Sequence, residues 1–271
     1  MLFTTLPVLA FPVIDPVIIE IGPFAIRWYA MAYIVGLVLG WRMAMRIAGR
    51  PGSTVTPMQV DGFLLWATLG VVLGGRLGYV LFYNIGYYLQ HPLEALAVWQ
   101  GGMSFHGGML GVIFAMLAYC RLSGIRFLAF TDVIACVTPI GLFFGRIANF
   151  INAELWGRAA PDFAFAMVFP HSDGVPRHPS QLYQAFMEGI VLFLLLNLLR
   201  WNTRAIHQPG TLSGVFLIGY GMARIIGELF REPDRQIGYL IGGTTMGQWL
   251  SLPMVVFGLG VVWWSRRQKA A

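Results

Sequence analysis

Residues 145–158 read G-R-I-A-N-F-I-N-A-E-L-W-G-R and follow a predominantly apolar run, Phe127 to Phe144. Apolar runs of this length are typical of helices in a bilayer, where a charged side chain is costly and usually functional. A lone arginine could simply extend its guanidinium to the lipid headgroups. The stretch, however, holds two arginines, two asparagines and a glutamate, a cluster that could bind a phosphate, and lipids carry phosphates.

The composition indicates a membrane protein. The chain has 271 residues, of which 57% are hydrophobic and 11% charged, with a mean hydropathy of +0.68. Soluble domains carry about 25% charged residues. We therefore expect an all-α polytopic membrane protein, a single integral membrane domain over 1–271 with a small head region formed by an outer loop at 150–183. The spans that a window of about 20 apolar residues predicts are 28–47, 60–82, 106–121, 127–149, 184–200, 211–229 and 247–265.

The basic residues predict the orientation. They follow spans one, three, five and seven, at Arg42, Arg46, Arg50, Arg121, Arg126, Arg200, Arg204, Arg266, Arg267 and Lys269. The other loops carry Glu94, Asp162, Asp173, Glu232 and Asp234. Because Lys and Arg accumulate on the cytoplasmic side, we expect the N-terminus outside and the C-terminus in the cytoplasm. The remaining arginines break this pattern by lying at the outer ends of spans, where some should serve function: Arg27, Arg76, Arg146, Arg158, Arg177, Arg224, Arg231 and Arg235.

Span six carries a polar stripe. Tyr220, Arg224 and Glu228 repeat every four residues, and Arg231 follows three further on. Helical geometry places them on one face, where Arg224 and Glu228 can pair. The pair could merely fix helix packing, but the longer stripe favours the lining of a water-accessible cavity.

Glycines surround two further candidates. Gly70, Gly74 and Gly78 in span two have the small-residue spacing that lets membrane helices pack closely, and Arg76 among them could join the cavity or reach the outer surface. His106, in G-G-M-S-F-H-G-G at 101–108, could accept a proton or only begin a helix. In R-H-P-S-Q-L-Y at 177–183 the polar side chains could hold a headgroup or a peptide, or Ser180 could cap a helix.

The sequence lacks the motifs of several protein classes. Cys120 and Cys136 lie in apolar stretches and are interpreted as core residues, and the sequence has no zinc motif, serine elbow or phosphate-binding loop. A lipid or anion transporter would need polar residues toward the cytoplasmic ends of the spans, which are almost wholly apolar. An intramembrane hydrolase would need a nucleophile or metal. We expect no metal, no nucleic acid partner and a monomer.

Together, the motifs at 101–108, 145–158, 177–183 and 220–231 resemble those of the bacterial prolipoprotein diacylglyceryl transferases. D-P-V-I-I-E-I-G-P near the N-terminus and L-G-G-R-L-G-Y-V-L-F-Y-N at 73–84 are also similar, so the resemblance covers essentially the whole chain. It implies transfer of the sn-1,2-diacylglyceryl group from phosphatidylglycerol to the lipobox cysteine of a preprolipoprotein. The product is a thioether, and glycerol phosphate is released on the periplasmic side of the inner membrane without a cofactor.

The resemblance also implies the site. His106, Arg146 and Arg224 are expected to be catalytic, and the expected substrate-binding residues are Tyr29, Arg76, Arg146, Asn149, Asn152, Glu154, Gly157, Glu228 and Arg231. In the mechanism we expect, Arg146 and Arg224 stabilise the leaving phosphate, with Asn149 as a neutral donor. His106 activates the substrate thiol, and Glu154 and Glu228 orient the arginines.

Overall fold

A computed structural model describes residues 9–12, 14–22, 24–170, 172–233 and 238–268. The helices, in chain order, are α1 (Trp28–Ala48), α2 (Pro57–Tyr83), α3 (Ile85–Gln90), α4 (Phe105–Leu122), α5 (Phe127–Ile151), α6 (Ser180–Gln184), α7 (Leu192–Asn202), α8 (Thr211–Gly227) and α9 (Met246–Arg267). A π-helical segment, Ala185–Val191, joins α6 to α7 into one apolar rod, Ser180–Asn202. Lys269, Asp234 and Arg235 lie outside the described residues.

The helical fold class is confirmed. Six helical rods are long and apolar enough to cross a membrane, and α8 is a shorter apolar helix of 17 residues, the lower end of the spanning range. The helices begin where local chemistry favours them. Thr56 and Thr245 form capping boxes with Gln59 and Gln248, which satisfy backbone donors at the starts of α2 and α9.

Four short strands are also present among the described residues. Strands β2 (Val17–Ile21) and β3 (Phe24–Arg27) form an antiparallel hairpin directly before α1. Strands β1 (Leu9–Ala10) and β4 (Met167–Val168) pair in parallel. A small aromatic core packs beside this second pair, with Phe11, Ala153 and Phe169 buried and Phe150, Trp156 and Met167 packed against them.

The chain divides into two compact units. The first comprises Met1–Met43 and Ile134–Ala271, and the second comprises Ala44–Val133. In the first unit α1 and α5 approach closely, because a Cβ on Gly36 would lie 3.2 Å from the Cα of Gly141. Helices α8 and α9 also meet through small residues, with a Cβ on Gly214 only 2.8 Å from the carbonyl oxygen of Gly258.

In the second unit α2 packs against α4 through glycines on both helices. A Cβ on Gly70 would lie 2.8 Å from the carbonyl oxygen of Gly111, and one on Gly78 would lie 2.7 Å from the Cα of Gly107. The predicted packing role of the span-two glycines is therefore confirmed. Their partner, Gly107, directly follows His106, so this glycine serves helix packing.

Candidate functional site

A chain of alternating charges lies buried between helices of the first unit. Nε of Arg146 on α5 donates to the Oε2 atom of Glu188 at 3.0 Å, and Nη2 lies 2.9 Å from the same oxygen. Nη1 of Arg224 on α8 lies 3.8 Å from Oε1 of the same carboxylate. Nη2 of Arg224 donates to Glu228 at 2.7 Å, so the predicted pair is present, and Arg231 donates to Glu228 at 3.1 Å. We call these five residues the ion network.

The ion network joins three guanidiniums to two carboxylates. The carboxylates are nearly closed to solvent, with Glu188 0% and Glu228 3% exposed, whereas the arginine side chains retain 12–15%. The guanidinium edges that stay exposed are the part of the network that an anion could contact.

Local packing fixes both carboxylates. Glu188 lies in the π segment, and the next residue, Gly189, brings that segment against α5, since a Cβ there would lie 2.7 Å from the Cβ of Phe143. Glu228 follows the end of α8 and accepts a hydrogen bond from Thr245 at 2.8 Å. A Cβ on Gly247 would lie 2.6 Å from the carboxyl carbon of Glu228, so α9 leaves room only for hydrogen there.

Residues 149–155, with Asn149, Asn152 and Glu154, form a tight turn at the end of α5. Asn149 donates to Glu154 at 2.7 Å, so this glutamate holds the amide, whereas the carboxylate between Arg146 and Arg224 is Glu188. Ala153 and Leu155 adopt left-handed backbone, with φ of 52° and 58°, which is strained for residues with a Cβ. Such strain persists only where the surroundings enforce it.

Helix α6 supplies the contacts that hold this strained turn in place. Gln181 donates to the carbonyl of Glu154 at 2.6 Å, and Ser180 donates to the carbonyl of Leu155 at 3.0 Å. Ser180 therefore holds the turn instead of capping the helix, whose N-cap residue is Pro179.

Two tyrosines adjoin the ion network. Tyr220 of the predicted stripe is a hydrogen-bond partner of Arg146 and interacts electrostatically with Glu188. Tyr29 interacts electrostatically with Glu154 and Arg146, and its hydroxyl lies 3.3 Å from that of Tyr33. The structure thus places Tyr29 beside the residues that the resemblance associates with it.

Gly157 and Arg158 join the outer loop to the end of α8. A Cβ on Gly157 would lie 2.6 Å from the carbonyl oxygens of both His178 and Phe230, so only glycine fits. Arg158 donates to the carbonyls of Arg231 and Glu228, each at 3.0 Å. Asn152 is half-buried, and its backbone N–H donates to the carbonyl of Ala148 at the end of α5.

Arg177, the arginine of the 177–183 motif, forms ion pairs within the outer loop and with Glu232. Arg177 donates to Asp173 at 2.7 Å and to Glu232 at 3.2 Å. The hydrogen bond from Arg177 lowers the pKa of the Asp173 carboxyl to about 2, and the same bond raises the pKa of the guanidinium. Burial lowers the pKa of His178, whose Nδ1 lies 3.1 Å from the hydroxyl of Tyr183.

The second unit contains His106 and Arg76. His106 is exposed in the first turn of α4, where Ser104 caps the helix by accepting a hydrogen bond from Gly107. Arg76 is 4% exposed and donates to the backbone carbonyls of Glu94, Ala95 and Gly101 at 2.5–2.8 Å. Its guanidinium thereby fastens the segment that follows α3.

Sequence reasoning missed Glu188, the carboxylate at the centre of the ion network. The available signal was the presence of a single acidic residue in an apolar span, which in a membrane indicates function. It also missed Gln184, which is 0% exposed and whose amide oxygen and nitrogen have no hydrogen-bond partner among the described residues. Arg146, Arg224, Glu228 and Arg231 are brought together as expected.

The fold and the ion network define a multi-pass membrane protein with a polar centre of arginines and buried glutamates. Residues 16–264 match the family model for prolipoprotein diacylglyceryl transferase. Proteins named phosphatidylglycerol–prolipoprotein diacylglyceryl transferase are 59% identical in Paramagnetospirillum magneticum, over 97% of both chains, and 57% identical in Azospirillum brasilense, over 97% of this chain and 98% of the relative. A relative of the same name in Rhodospirillum rubrum is 57% identical over 96% of both chains. The chain belongs to the prolipoprotein diacylglyceryl transferase family, as its motifs predicted.

Proposed function

We propose that this protein transfers the sn-1,2-diacylglyceryl group of phosphatidylglycerol to the lipobox cysteine of a preprolipoprotein. The ion network carries the proposal: the guanidiniums of Arg146 and Arg224 come from different helices, face one buried carboxylate and keep exposed edges that can contact the phosphate of the headgroup. The names of the relatives specify the same lipid and protein substrates.

The reaction forms a C–S bond and breaks the bond between the glyceryl carbon and a phosphate oxygen. The electron pair of the broken bond stays on that oxygen, so negative charge increases on the phosphate during the displacement. Arg146 and Arg224 come from different helices and are held by Glu188, which lets them meet that charge without rearrangement. Preorganised donors of this kind stabilise a transition state more than a ground state.

The attacking thiol belongs to the substrate. Cys120 is 1% and Cys136 0% exposed, so neither thiol of this chain is available as a nucleophile. We propose His106 as the base that accepts the thiol proton, because it is exposed at the start of α4. A thiolate is the reactive form of cysteine, and the proton finally balances the charge of the released glycerol phosphate.

We further propose that the protein works as a monomer in the bacterial inner membrane, with the ion network open toward the periplasmic side. The arginines that follow spans one, three, five and seven support this orientation. Single cysteines placed in the loop after α1 and in the loop after α5 would test it in intact cells. An impermeant thiol reagent should label only the second position, because only that loop is expected outside the cell membrane. Both native cysteines are buried, so background labelling should be low.

A reconstituted assay tests the activity. Purified protein is incubated with phosphatidylglycerol and a lipobox peptide, and the peptide should gain the mass of one diacylglyceryl unit. A peptide with serine in place of the cysteine is the matched control and should gain nothing. Lipid or anion flux through vesicles without any change in peptide mass would instead support the transporter and contradict the proposal.

A further inference from the structure

We propose that Arg158 is a positioning residue for the ion network: its guanidinium holds the turn that follows α8 and thereby sets where the carboxylate of Glu228 lies. The inference rests on the proposed function, in which Arg146 and Arg224 meet the phosphate of the lipid. It gives a role to an arginine that lies at the outer end of a span, against the cytoplasmic preference of basic residues.

The turn after α8 contains carbonyls that need donors from elsewhere. Helix α8 ends at Gly227, and the last carbonyls of a helix have no donor within it. Arg158 supplies these donors from the outer loop: Nη2 donates to the carbonyl of Glu228 and Nε to the carbonyl of Arg231, each at 3.0 Å. A cation at this end of a helix is also favoured by the helix dipole. The guanidinium therefore fixes the turn at two points.

The backbone beside Arg158 is attached to the same turn. Its N–H donates to the carbonyl of Phe230 at 2.8 Å, and Gly157 pairs with Arg231 in an antiparallel bridge. Glycine permits this close approach, because a Cβ on Gly157 would lie 2.6 Å from the carbonyl oxygen of Phe230. Since the backbone is already held against the turn, the side chain of Arg158 reaches both carbonyls from a fixed starting point.

The turn matters because it begins at Glu228. The Oε1 atom of this carboxylate accepts hydrogen bonds from Arg224 and Arg231, and Oε2 accepts one from Thr245. The side chain of Glu228 is 3% exposed, so it has little room to readjust if its backbone moves. A shift of the turn would therefore misplace the guanidinium of Arg224, and small misplacements of a catalytic group are costly.

Arg158 also contacts the segment that leads into α9. Its guanidinium carbon lies 5.2 Å from the centre of the Tyr239 ring, within the range of a cation–π contact. The same segment ends at Thr245, which donates to the side chain of Glu228. Arg158 binds the backbone of Glu228 and Thr245 binds its carboxylate, so this residue is held from two sides.

Two substitutions separate the geometry of Arg158 from its charge. Arg158→Gln removes the cation, and Arg158→Lys keeps a positive charge but replaces the fork of two nitrogens by one. In the full-length protein, kcat for modification of a lipobox peptide should fall about 10- to 100-fold in Arg158→Gln and at least about fivefold in Arg158→Lys. The KM for phosphatidylglycerol should stay within about threefold of wild type in both variants. A direct phosphate ligand would instead show a raised KM in Arg158→Gln and near-full activity in Arg158→Lys, and that result would overturn the inference.

A double-mutant cycle tests whether Arg158 acts through Glu228. In a Glu228→Gln background the carboxylate is already lost, so adding Arg158→Gln should lower kcat by less than about threefold. Asn197→Leu is the matched control background. Asn197 also donates from its side chain to two backbone carbonyls, those of Cys136 and Phe193, but it lies on α7. Asn197→Leu alone should lower the unfolding temperature and leave kcat near wild type, and adding Arg158→Gln to it should cost the full factor of about 10 to 100.

Equal losses of kcat in the Glu228→Gln and Asn197→Leu backgrounds would overturn the inference, as would wild-type kcat in folded Arg158→Gln. If Arg158→Gln cannot be purified folded, or if Glu228→Gln has no measurable activity, Arg158→Lys decides. Wild-type kcat in Arg158→Lys would overturn the positioning role, and a lowered kcat with an unchanged KM would support it. Failure of the proposed function is distinct from all of these results, since the wild-type protein itself would then not modify the peptide.

Discussion

Arg76 and Arg146 both lie in apolar helices, the first buried and the second half-buried, but their surroundings differ in kind. The guanidinium of Arg76 is surrounded by backbone carbonyls of residues 94–102, and the residue is 4% exposed. That of Arg146 faces the carboxylate of Glu188, and its side chain remains 15% exposed. Carbonyl dipoles satisfy the donors of Arg76, whereas Arg146 belongs to a network of opposite charges.

The difference offers a criterion for telling structural arginines from candidate phosphate ligands. A guanidinium enclosed by carbonyls stabilises a loop and offers little surface to a ligand. A guanidinium held by a carboxylate is oriented and partly neutralised, and its open edge can still bind an anion. By this criterion Arg146, Arg224 and Arg231 remain candidates for phosphate binding, and the predicted ligand role of Arg76 has less support.

The largest expected effect is the loss of a network arginine. Arg146→Ala or Arg224→Ala should lower kcat/KM by a factor of about 1,000 or more, since each removes a donor on which the transition state depends. The measurement is peptide modification per folded protein, with folding followed by thermal unfolding. Arg224→Lys is the sharper variant, because an ammonium cannot contact Glu188 and Glu228 with two separate nitrogens. Near-full activity in Arg224→Lys would contradict a phosphate clamp at this position.

His106→Gln tests whether the second unit contributes chemistry at all. If His106 is the base, kcat should fall by a factor of about 100 to 10,000. The decline in rate at acidic pH should also disappear, because a general base acts only while it is unprotonated. The pH profiles of kcat for the two proteins provide the measurement. Wild-type activity with an unchanged profile would remove His106 from proton transfer.

Arg76→Gln should act on stability. The variant removes the guanidinium that donates to the carbonyls of Glu94, Ala95 and Gly101, at a cost of about 1–3 kcal/mol for each one left unpaired, so the unfolding temperature should drop by several degrees. Proteolysis should also become faster within residues 84–102. Lost transfer with an unchanged unfolding temperature would instead make Arg76 a substrate-binding residue, as the sequence predicted.

Asp173→Asn should have the smallest effect, because its partner Arg177 keeps Glu232 and the carbonyl of Gly157. The folded pKa of Asp173, about 2, lies below the ordinary value near 3.9. Its contribution to stability is therefore fully present above about pH 4 and is lost as pH falls through 2. The unfolding temperatures of wild type and variant should differ slightly at pH 7 and converge toward pH 2. A constant difference would exclude the ion pair as its cause.

Much of the fold followed from local pattern. Hydropathy located the six long apolar helices and the shorter α8 because the bilayer imposes a similar length on apolar runs, and the four-residue spacing of Tyr220, Arg224 and Glu228 identified a true helix face. The short strands were not predicted. Strands β1 and β4 have two residues each, too few to show the alternation of apolar and polar residues by which a strand is recognised in a sequence.

The centre of the site followed from the sequence only in part. Glu188 lies more than 30 residues from either of its arginines, and a lone carboxylate gives no spacing from which a partner could be inferred. The partners of Arg76 are backbone carbonyls, which every residue possesses, so side-chain identity could not reveal them. Non-local contacts of both kinds depend on how helices pack.

The pairing of β1 with β4 imposes an order on biosynthesis. Residues Leu9–Ala10 emerge first, but their partners Met167–Val168 are translated only after roughly 8–30 s at ~5–20 residues per second. By then the segments of α1, α2, α4 and α5 have been translated, while Phe11 still lacks Phe169 as a packing partner. The small aromatic core around Phe11 therefore forms late in folding. A bulky tag fused ahead of β1 would interfere with its formation more than with insertion of the helices.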